Sequence, residues 1–323
     1  MPSASLVVIG ASAGGVQALQ NVLASFPPDL ESAVAIALHR SPATNPDRLP
    51  SLLQRQTTIP VTGVRDREPM VERHIYISPP GVHLEISESA FRLTAGPREN
   101  GARPAIDALF RTAAQSRGRK VVGVLLSGLL DDGTAGLAAI KAAGGYTIAQ
   151  DPADALFADM PRNAIENVEI DAVCRAAEMG ECISVALEER AIPLRPQSNP
   201  GIDRPSSFSC PDCSGVLWER THDGVLHYRC RTGHAYSPAS LYARQGDSLE
   251  GALWAAIRAL EERAEMTELL AKRLRARGLQ HAAQRLERQS RVARDHAGVV
   301  RATVTEVETT RREPDDANEE DTG

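Results

Sequence analysis

The chain has 323 residues, of which 42% are hydrophobic, 24% charged and only 4% aromatic, with a net charge of −6. That is enough apolar material for two domains, with cores drawn from Val, Ile, Leu and Ala. No run approaches ~18 apolar residues and no basic start precedes a cleavable apolar stretch, which argues against a membrane span and a secretory leader; a cytoplasmic protein with no nucleic-acid partner and no membrane insertion is expected.

In chain order, residues 1–190 alternate short β-branched runs with amphipathic stretches. LVVIG (6–10), VAIALH (34–39), VVGVLLSG (121–128) and YTIAQ (146–150) read as buried parallel strands. Between the first two, Val16, Leu19, Val22, Leu23 and Phe26 follow helical spacing. Further helices are predicted at 104–117, 134–143, 160–167 and 176–189. HIYISP (74–79), HLEISE (83–88) and AFRLTA (90–95) read as an antiparallel excursion, with turns at Pro79-Pro80-Gly81 and near Ser89. The βαβ alternation predicts an α/β fold with a doubly wound, mainly parallel sheet.

Residues 193–205 hold four prolines and no hydrophobic period, so they read as a linker. A small module follows, then two helices over 247–302 broken at Gly278. Their apolar positions are Leu249, Leu253, Ile257, Leu260 and Ala264, then Leu279, Ala282, Leu286, Ala293 and Val300. They suggest a helical hairpin or a partner-binding coiled coil. Residues 303–323 carry eight acids against Arg311 and Arg312, which accounts for the whole net charge, so the end reads as a solvated acidic tail. The expected domains are 1–192, a linker 193–205, a module 206–245, a hairpin 246–304 and a disordered tail 305–323.

Gly10-Ala11-Ser12-Ala13-Gly14 matches the G-x-S-x-G elbow between a strand and a helix. The glycines permit a sharp turn that projects the serine oxygen, and the helix N-terminus brings free N–H groups to the same point. The competing assignment is a nucleotide-binding G-x-G-x-x-G turn, but Ser12 occupies its second glycine and no acid closes the next strand. A serine needs a neighbouring base. His39 ends the second strand, and Asp131 and Asp132 follow the third, so all emerge on one sheet edge. The order Ser…His…Asp differs from that of an α/β-hydrolase, whereas a triad is defined by geometry and roles.

Cys210, Cys213, Cys230 and His234 follow the spacing C-x2-C-x16-C-x3-H. Four such ligands suit a structural, tetrahedral Zn²⁺, and a segment this small needs a staple to fold. Val216, Leu217, Trp218 and Tyr228 are expected in two short strands, as in a zinc ribbon. With Cys174 and Cys182, the five cysteines fit a reducing compartment.

At this point the residues resemble the chemotaxis protein-glutamate methylesterase (CheB) family over 5–190. The blocks are IGASAGG (9–15), LHRSP (38–42), HIYISPPGVHLEI (74–86), GPRENGARPAIDALFRTAA (96–114), LSGLLDDGTAG (126–136), IAQD (148–151) and MPRNAI (160–165). The resemblance implies a hydrolase of glutamate methyl esters on chemoreceptors, with glutamine deamidation in some members, no cofactor for catalysis, and a role in chemotaxis signal transduction. It implies Ser12 as nucleophile, His39 as base, Asp132 as its partner, and the amides of Ala13 and Leu129 as oxyanion donors. Arg40, Arg103 and Arg162 are candidates for recruiting an acidic receptor surface. Two departures stand out: Ala13 replaces a common Thr, and Leu129-Leu130 replaces Met-Gly. The family's phospho-receiver domain is not expected in this chain, so regulation through the C-terminal helices or a separate signalling partner is expected instead. CRTGHAYS (230–237) resembles appendages on receiver-less members. The alternatives are a non-catalytic interaction protein on the same scaffold and an esterase of another substrate.

Overall fold

The computed structural model describes residues 5–43, 45, 48–88, 90–188, 203–222 and 224–312. Most of the predicted linker (193–202) and the end of the acidic tail (313–323) lie outside them. Two compact units emerge, one ending at Tyr242 and the other starting at Ala243.

The first unit opens with β1 (Leu6–Ala11), α1 (Gly15–Ala24) and β2 (Ala33–Leu38), followed by α2 (Arg48–Leu53), β3 (Val61–Gly63) and β4 (His74–Ile77). A hairpin of β5 (His83–Ser87) and β6 (Ala90–Thr94) leads to α3 (Ile106–Arg117). Then come β7 (Val121–Leu125), α4 (Thr134–Ala142), β8 (Tyr146–Gln150), α5 (Asp159–Asn167), β9 (Ala172–Cys174) and α6 (Met179–Glu188). Seven strands form one sheet in the order β3-β4-β2-β1-β7-β8-β9, and every neighbouring pair is parallel. The doubly wound α/β sheet is therefore as expected. All six residues of β1 and of β2 are buried, as a strand covered on both faces requires. Alternate residues feed two cores. Val7, Ile9, Val34 and Ile36 meet α1 and α6, while Leu6, Val8, Ala35 and Ala37 meet α3 and α4.

Two sequence expectations need correcting. Residues 74–77 are not part of an antiparallel excursion: they form β4, inside the parallel sheet beside β2. His-Ile-Tyr-Ile alternates like a half-exposed strand, but Tyr76 is buried under Phe91 of the hairpin, their ring centroids 4.6 Å apart, so both faces are covered. In α1, Val16 points to solvent and the buried stripe starts at Ala18.

The module after the linker is larger than two strands. β10 (Arg204–Ser209), β11 (Val216–His222), β12 (Val225–Cys230) and β13 (Ala235–Tyr236) form a four-stranded antiparallel sheet. The second unit holds the body of α7 (Pro238–Ala276) and all of α8 (Gln280–Arg312). The break falls at Gly278, whose φ of 78° suits glycine. Helix α8 runs past residue 304, the expected end of the hairpin, to Arg312.

Of the apolar positions read from the sequence, Ile257, Ala264 and Ala293 are buried, whereas Leu249 and Leu279 are exposed. The close seam sets Ile257, Ala264 and Ala271 beside Ala283, Ser290, Ala297 and Val304. Each set recurs at seven-residue intervals, the period of a left-handed coiled coil. Alanine lets the helices approach closely, and Ser290 Oγ uses that approach to donate to the Ala264 carbonyl at 2.9 Å. Cross-helix pairs Arg301–Glu261, Arg294–Glu268 and Arg275–Glu287 flank the seam. No helix among the described residues is long and apolar enough to cross a membrane.

Candidate active site

Strands β1 and β7 are neighbours, yet the chain lays β2 and β4 on one side of β1 and β8 and β9 on the other. The crevice at the carboxyl ends of β1 and β7 is therefore a topological switch point, where open α/β sheets bind ligands. Ser12 follows β1, His39 follows β2, and Asp132 lies in the loop after β7. Their backbones interlock: the Ser12 amide donates to the Ser127 carbonyl at 3.0 Å and the His39 amide to the Ala11 carbonyl at 3.1 Å.

Ser12 Oγ lies 3.0 Å from His39 Nδ1, and His39 Nε2 lies 2.6 Å from Asp132 Oδ2. An ionised carboxylate only accepts, so Nε2 carries the proton and Nδ1 is free to accept from the Ser12 hydroxyl. A half-turn of the ring would put carbon atoms at both contacts. The imidazole thus uses Nδ1 toward serine and Nε2 toward aspartate, the reverse of the chymotrypsin arrangement.

Asp132 is buried, and its oxygens are fully engaged. Oδ2 also accepts the Ile106 amide at 2.7 Å, and Oδ1 accepts Asn100 Nδ2 at 2.9 Å and the Asp107 amide at 3.2 Å. Ile106 and Asp107 open α3, whose own N-cap residue, Ala105, has no side-chain cap. Asp132 therefore serves from a distance as the acceptor for the helix's orphan amides, at its positive end. Burial alone would raise the Asp132 pKa. The hydrogen bond and charge of His39, then Ile106 and Asn100, outweigh it and hold the group below the usual carboxylate range. The neighbouring Asp107 goes the other way: burial first, then the Asp132 charge, push its pKa well above that range. Asp107 Oδ1 accepts the amides of Gly133 and Gly136, which ties α3 to the start of α4.

The elbow is tight. Gly14 has a φ of 72°, and a Cβ there would lie 2.7 Å from Ser127 Oγ. Ser127 Oγ donates to the Ala13 carbonyl at 2.8 Å and accepts the Phe157 amide at 3.0 Å, while its own amide donates to Gln150 Oε1. Three strand-end loops are thereby locked around Ser12. Among the described residues, the amides of Ala13 and Leu129 donate to no protein acceptor. Leu130 has a φ of 63°, a left-handed conformation natural to glycine, and its side chain is partly exposed. Leu130→Gly should therefore raise stability, by up to about 1 kcal/mol in denaturant melts, because it relieves a strained backbone while losing little burial.

Beside His39 lies a cleft of 370 Å³, lined by Arg40, Ser41, Pro42, Arg98, Gly101, Ala102 and Arg103. Arg40 donates to the Ser78 carbonyl, and Arg103 Nη1 to the carbonyls of Ala95 and Gly96. Burial lowers the Arg40 pKa. Arg162 is exposed on α5 and does not line this cleft. Sequence reasoning missed Arg98, Asn100, Asp107 and Ser127. Asn100 stands in Glu-Asn-Gly, which reads as a turn, and nothing local shows what its amide faces.

Cys210, Cys213, Cys230 and His234 come together, their ligand atoms all within 4.8 Å of one another. Cys213 Sγ and Cys230 Sγ are 3.6 Å apart, and His234 Nδ1 lies 3.5 Å from Cys230 Sγ and 3.7 Å from Cys210 Sγ. Burial raises the Cys210 pKa, whereas the Thr232 hydroxyl and the Gly215 amide bring Cys213 down to about 6. The module rests on the sheet domain through Asp131, which accepts from the hydroxyls of Ser237 and Ser240. Ser237 Oγ also accepts the Ser240 amide and so caps α7 just before Pro238.

A hydroxyl, an imidazole and a buried carboxylate at the switch point of a parallel α/β sheet define a class of hydrolase-like domain, and comparison with known proteins identifies which. The sequence profile of the CheB methylesterase family matches residues 7–183, more than half of the chain, which belongs to that family. It is 39% identical over 180 residues to a protein-glutamate methylesterase/protein-glutamine glutaminase of Pectobacterium atrosepticum, covering 54% of this chain and 50% of the relative. It is 38% identical over 196 residues to a protein of that name, numbered 2, from Bordetella avium, covering 58% and 54%. The chain thus matches about half the length of these relatives. The crystal structure of the Thermotoga maritima CheB methylesterase catalytic domain superimposes with a TM-score of 0.54 at 29% identity, covering 56% of this chain and 97% of that one.

Proposed function

We propose that the protein is a protein-glutamate methylesterase that hydrolyses glutamate methyl esters on chemoreceptors, and deamidates glutamines there, through Ser12, His39 and Asp132. The observation that carries this reading is the relay of 3.0 Å and 2.6 Å contacts running from Ser12 through His39 to a carboxylate that cannot relax. His39 Nδ1 takes the Ser12 proton as Oγ attacks the ester carbonyl. Asp132 keeps the proton on Nε2 and stabilises the imidazolium. The Ala13 and Leu129 amides receive the oxyanion. Methanol leaves with the proton returned by His39, and water then hydrolyses the acyl-enzyme.

Arg40, Arg98 and Arg103 give the cleft a cationic wall, which suits a substrate helix carrying acids around the ester. Arg162 stands apart as an outer recruiting charge. A cytoplasmic location agrees with five free cysteines.

Cys210, Cys213, Cys230 and His234 suit a structural Zn²⁺. Tetrahedral coordination with Zn–S of ~2.3 Å and Zn–N of ~2.1 Å sets S···S near 3.8 Å and S···N near 3.6 Å, close to the separations found here. The ion supplies a fold cross-link and no chemistry to the ester.

The deciding experiment is methanol release from methyl-esterified receptor by wild type and Ser12→Ala. Wild type should release methanol and Ser12→Ala should fall to the uncatalysed background. Equal release from both would overturn the esterase reading in favour of a binding role for the same scaffold.

A further inference from the structure

We propose that the metal-ligating module braces the triad carboxylate, and that Asn100 is the positioning residue through which it does so. The inference rests on the esterase reading of Ser12, His39 and Asp132.

Asn100 stands between the two parts. On the triad side, the two hydrogens of its Nδ2 go to Asp107 Oδ2 at 2.8 Å and Asp132 Oδ1 at 2.9 Å. On the module side, its Oδ1 accepts the Ser237 amide at 2.9 Å, and its own amide donates to the Ala235 carbonyl at 2.7 Å. Reversing the amide would face an oxygen to two carboxylates and a donor to a donor, so its orientation is fixed. Its φ of 51° is one that asparagine tolerates better than most residues.

The module side leads directly to the metal ligands. Ala235 follows His234, and it pairs as a strand bridge with Glu99. The His234 carbonyl accepts the Cys230 amide, and Ala235 begins β13. A metal that holds His234 to Cys230 therefore fixes the backbone to which Asn100 is bonded. A second tie runs in parallel: Ser237 and Ser240 bond Asp131, the residue before Asp132. Without the module, Asn100 would lose its bonds to Ser237 and Ala235, and only the two carboxylates would hold its side chain. Asp132 would then keep the α3 amides, but its one side-chain donor other than His39 would no longer be fixed in place.

The loop that carries Asn100 also carries Arg98 and Arg103 of the substrate cleft. A purely architectural role for the module would explain a contact with this loop. It would not require an amide hydrogen on the triad carboxylate itself.

The test uses the full-length chain and methyl-esterified receptor, with Ser12→Ala defining zero. Asn100→Gly keeps the backbone conformation and deletes the amide. It should lower kcat about ten- to a hundredfold, the scale of one hydrogen bond to a charged group, with KM within about twofold. Asn100→Asp keeps an acceptor for the Ser237 amide but turns an anion toward Asp132, and should lose at least as much while retaining its metal. Stripping the metal from wild type with a chelator, confirmed by metal content, should reproduce the Asn100→Gly loss. The decisive reading is the cycle: stripping Asn100→Gly should add little further loss, because both changes cut the same connection. The rate at which a fluorophosphonate labels Ser12 should fall in parallel, without any receptor present.

Full kcat in Asn100→Gly, or losses from chelation and substitution that multiply, would overturn the brace while leaving Ser12-dependent turnover intact. Turnover and labelling that do not depend on Ser12 would instead overturn the esterase reading, and the brace with it.

Discussion

Asp132→Asn should lower kcat by about 10³- to 10⁴-fold, the scale seen when a triad aspartate becomes its amide. The substitution preserves shape, so the effect is one of protons. All four groups around the carboxylate are donors: His39 Nε2, the Ile106 and Asp107 amides, and Asn100 Nδ2. An asparagine side chain can satisfy one side with its oxygen, but its NH₂ must face donors on the other. If NH₂ faces His39, the imidazole must shift its proton to Nδ1 and can no longer accept from Ser12. If NH₂ faces Asn100 and Asp107, the tautomer survives, but the imidazolium loses its counter-charge and two buried donors are left unpaired. Either arrangement should also cost about 2 kcal/mol of stability in denaturant melts, because a buried donor without an acceptor carries its full desolvation penalty. A variant with near wild-type kcat would show that this carboxylate does not set the tautomer.

Gly128→Ala should cripple the nucleophile with a single methyl. A Cβ on Gly128 would fall 2.0 Å from Met160 Sδ and 2.8 Å from Ser12 Cβ. The Met160 thioether sits on a flexible side chain and can swing aside at modest cost. Ser12 cannot, because its backbone is bonded to Ser127 and its loop is pinned by the Ser127 hydroxyl. The strain must therefore appear as displacement of the nucleophile. Gly128 also donates to the Phe157 carbonyl and accepts the Met160 amide, so its own backbone has little room to retreat. A misplacement near 1 Å costs on the order of a hundredfold in rate, and overpacking of this kind typically costs about 1–3 kcal/mol. Fluorophosphonate labelling of Ser12 and a thermal melt check both. Unchanged labelling would mean that the loop yields where the hydrogen bonds say it should not.

Much of this was legible in the sequence because it depends on short-range pattern. The β-branched runs at 6–10, 34–39, 121–125 and 146–150 are buried on both faces and need no tertiary information to read. Ser12, His39 and Asp132 could be placed on one edge because parallel strands share a direction. What escaped was set by partners distant in the chain. His74–Ile77 belongs to the main sheet because Phe91 covers Tyr76, a fact no local alternation encodes. Asp131 follows the strand as a helix cap might, yet its carboxylate holds Ser237 and Ser240, more than a hundred residues on. Asn100 looks like a turn residue because its backbone is one, while the purpose of its side chain lies at residues 107, 132 and 237. In the hairpin, leucine marks hydrophobicity but alanine marks proximity, and the seam follows the second.

The strand order also bears on how the chain comes together as it is made. The serine and histidine, with the two strands that carry them, are complete by residue 39, but β1 has an open edge until residues 121–125 arrive to pair with it. Such long-range parallel pairing is slow, and an unpaired central strand is exposed to the wrong neighbours meanwhile. A nascent chain shorter than about 130 residues would therefore present a nucleophile and a base with nothing to orient them, so truncated products should be inert and prone to clump.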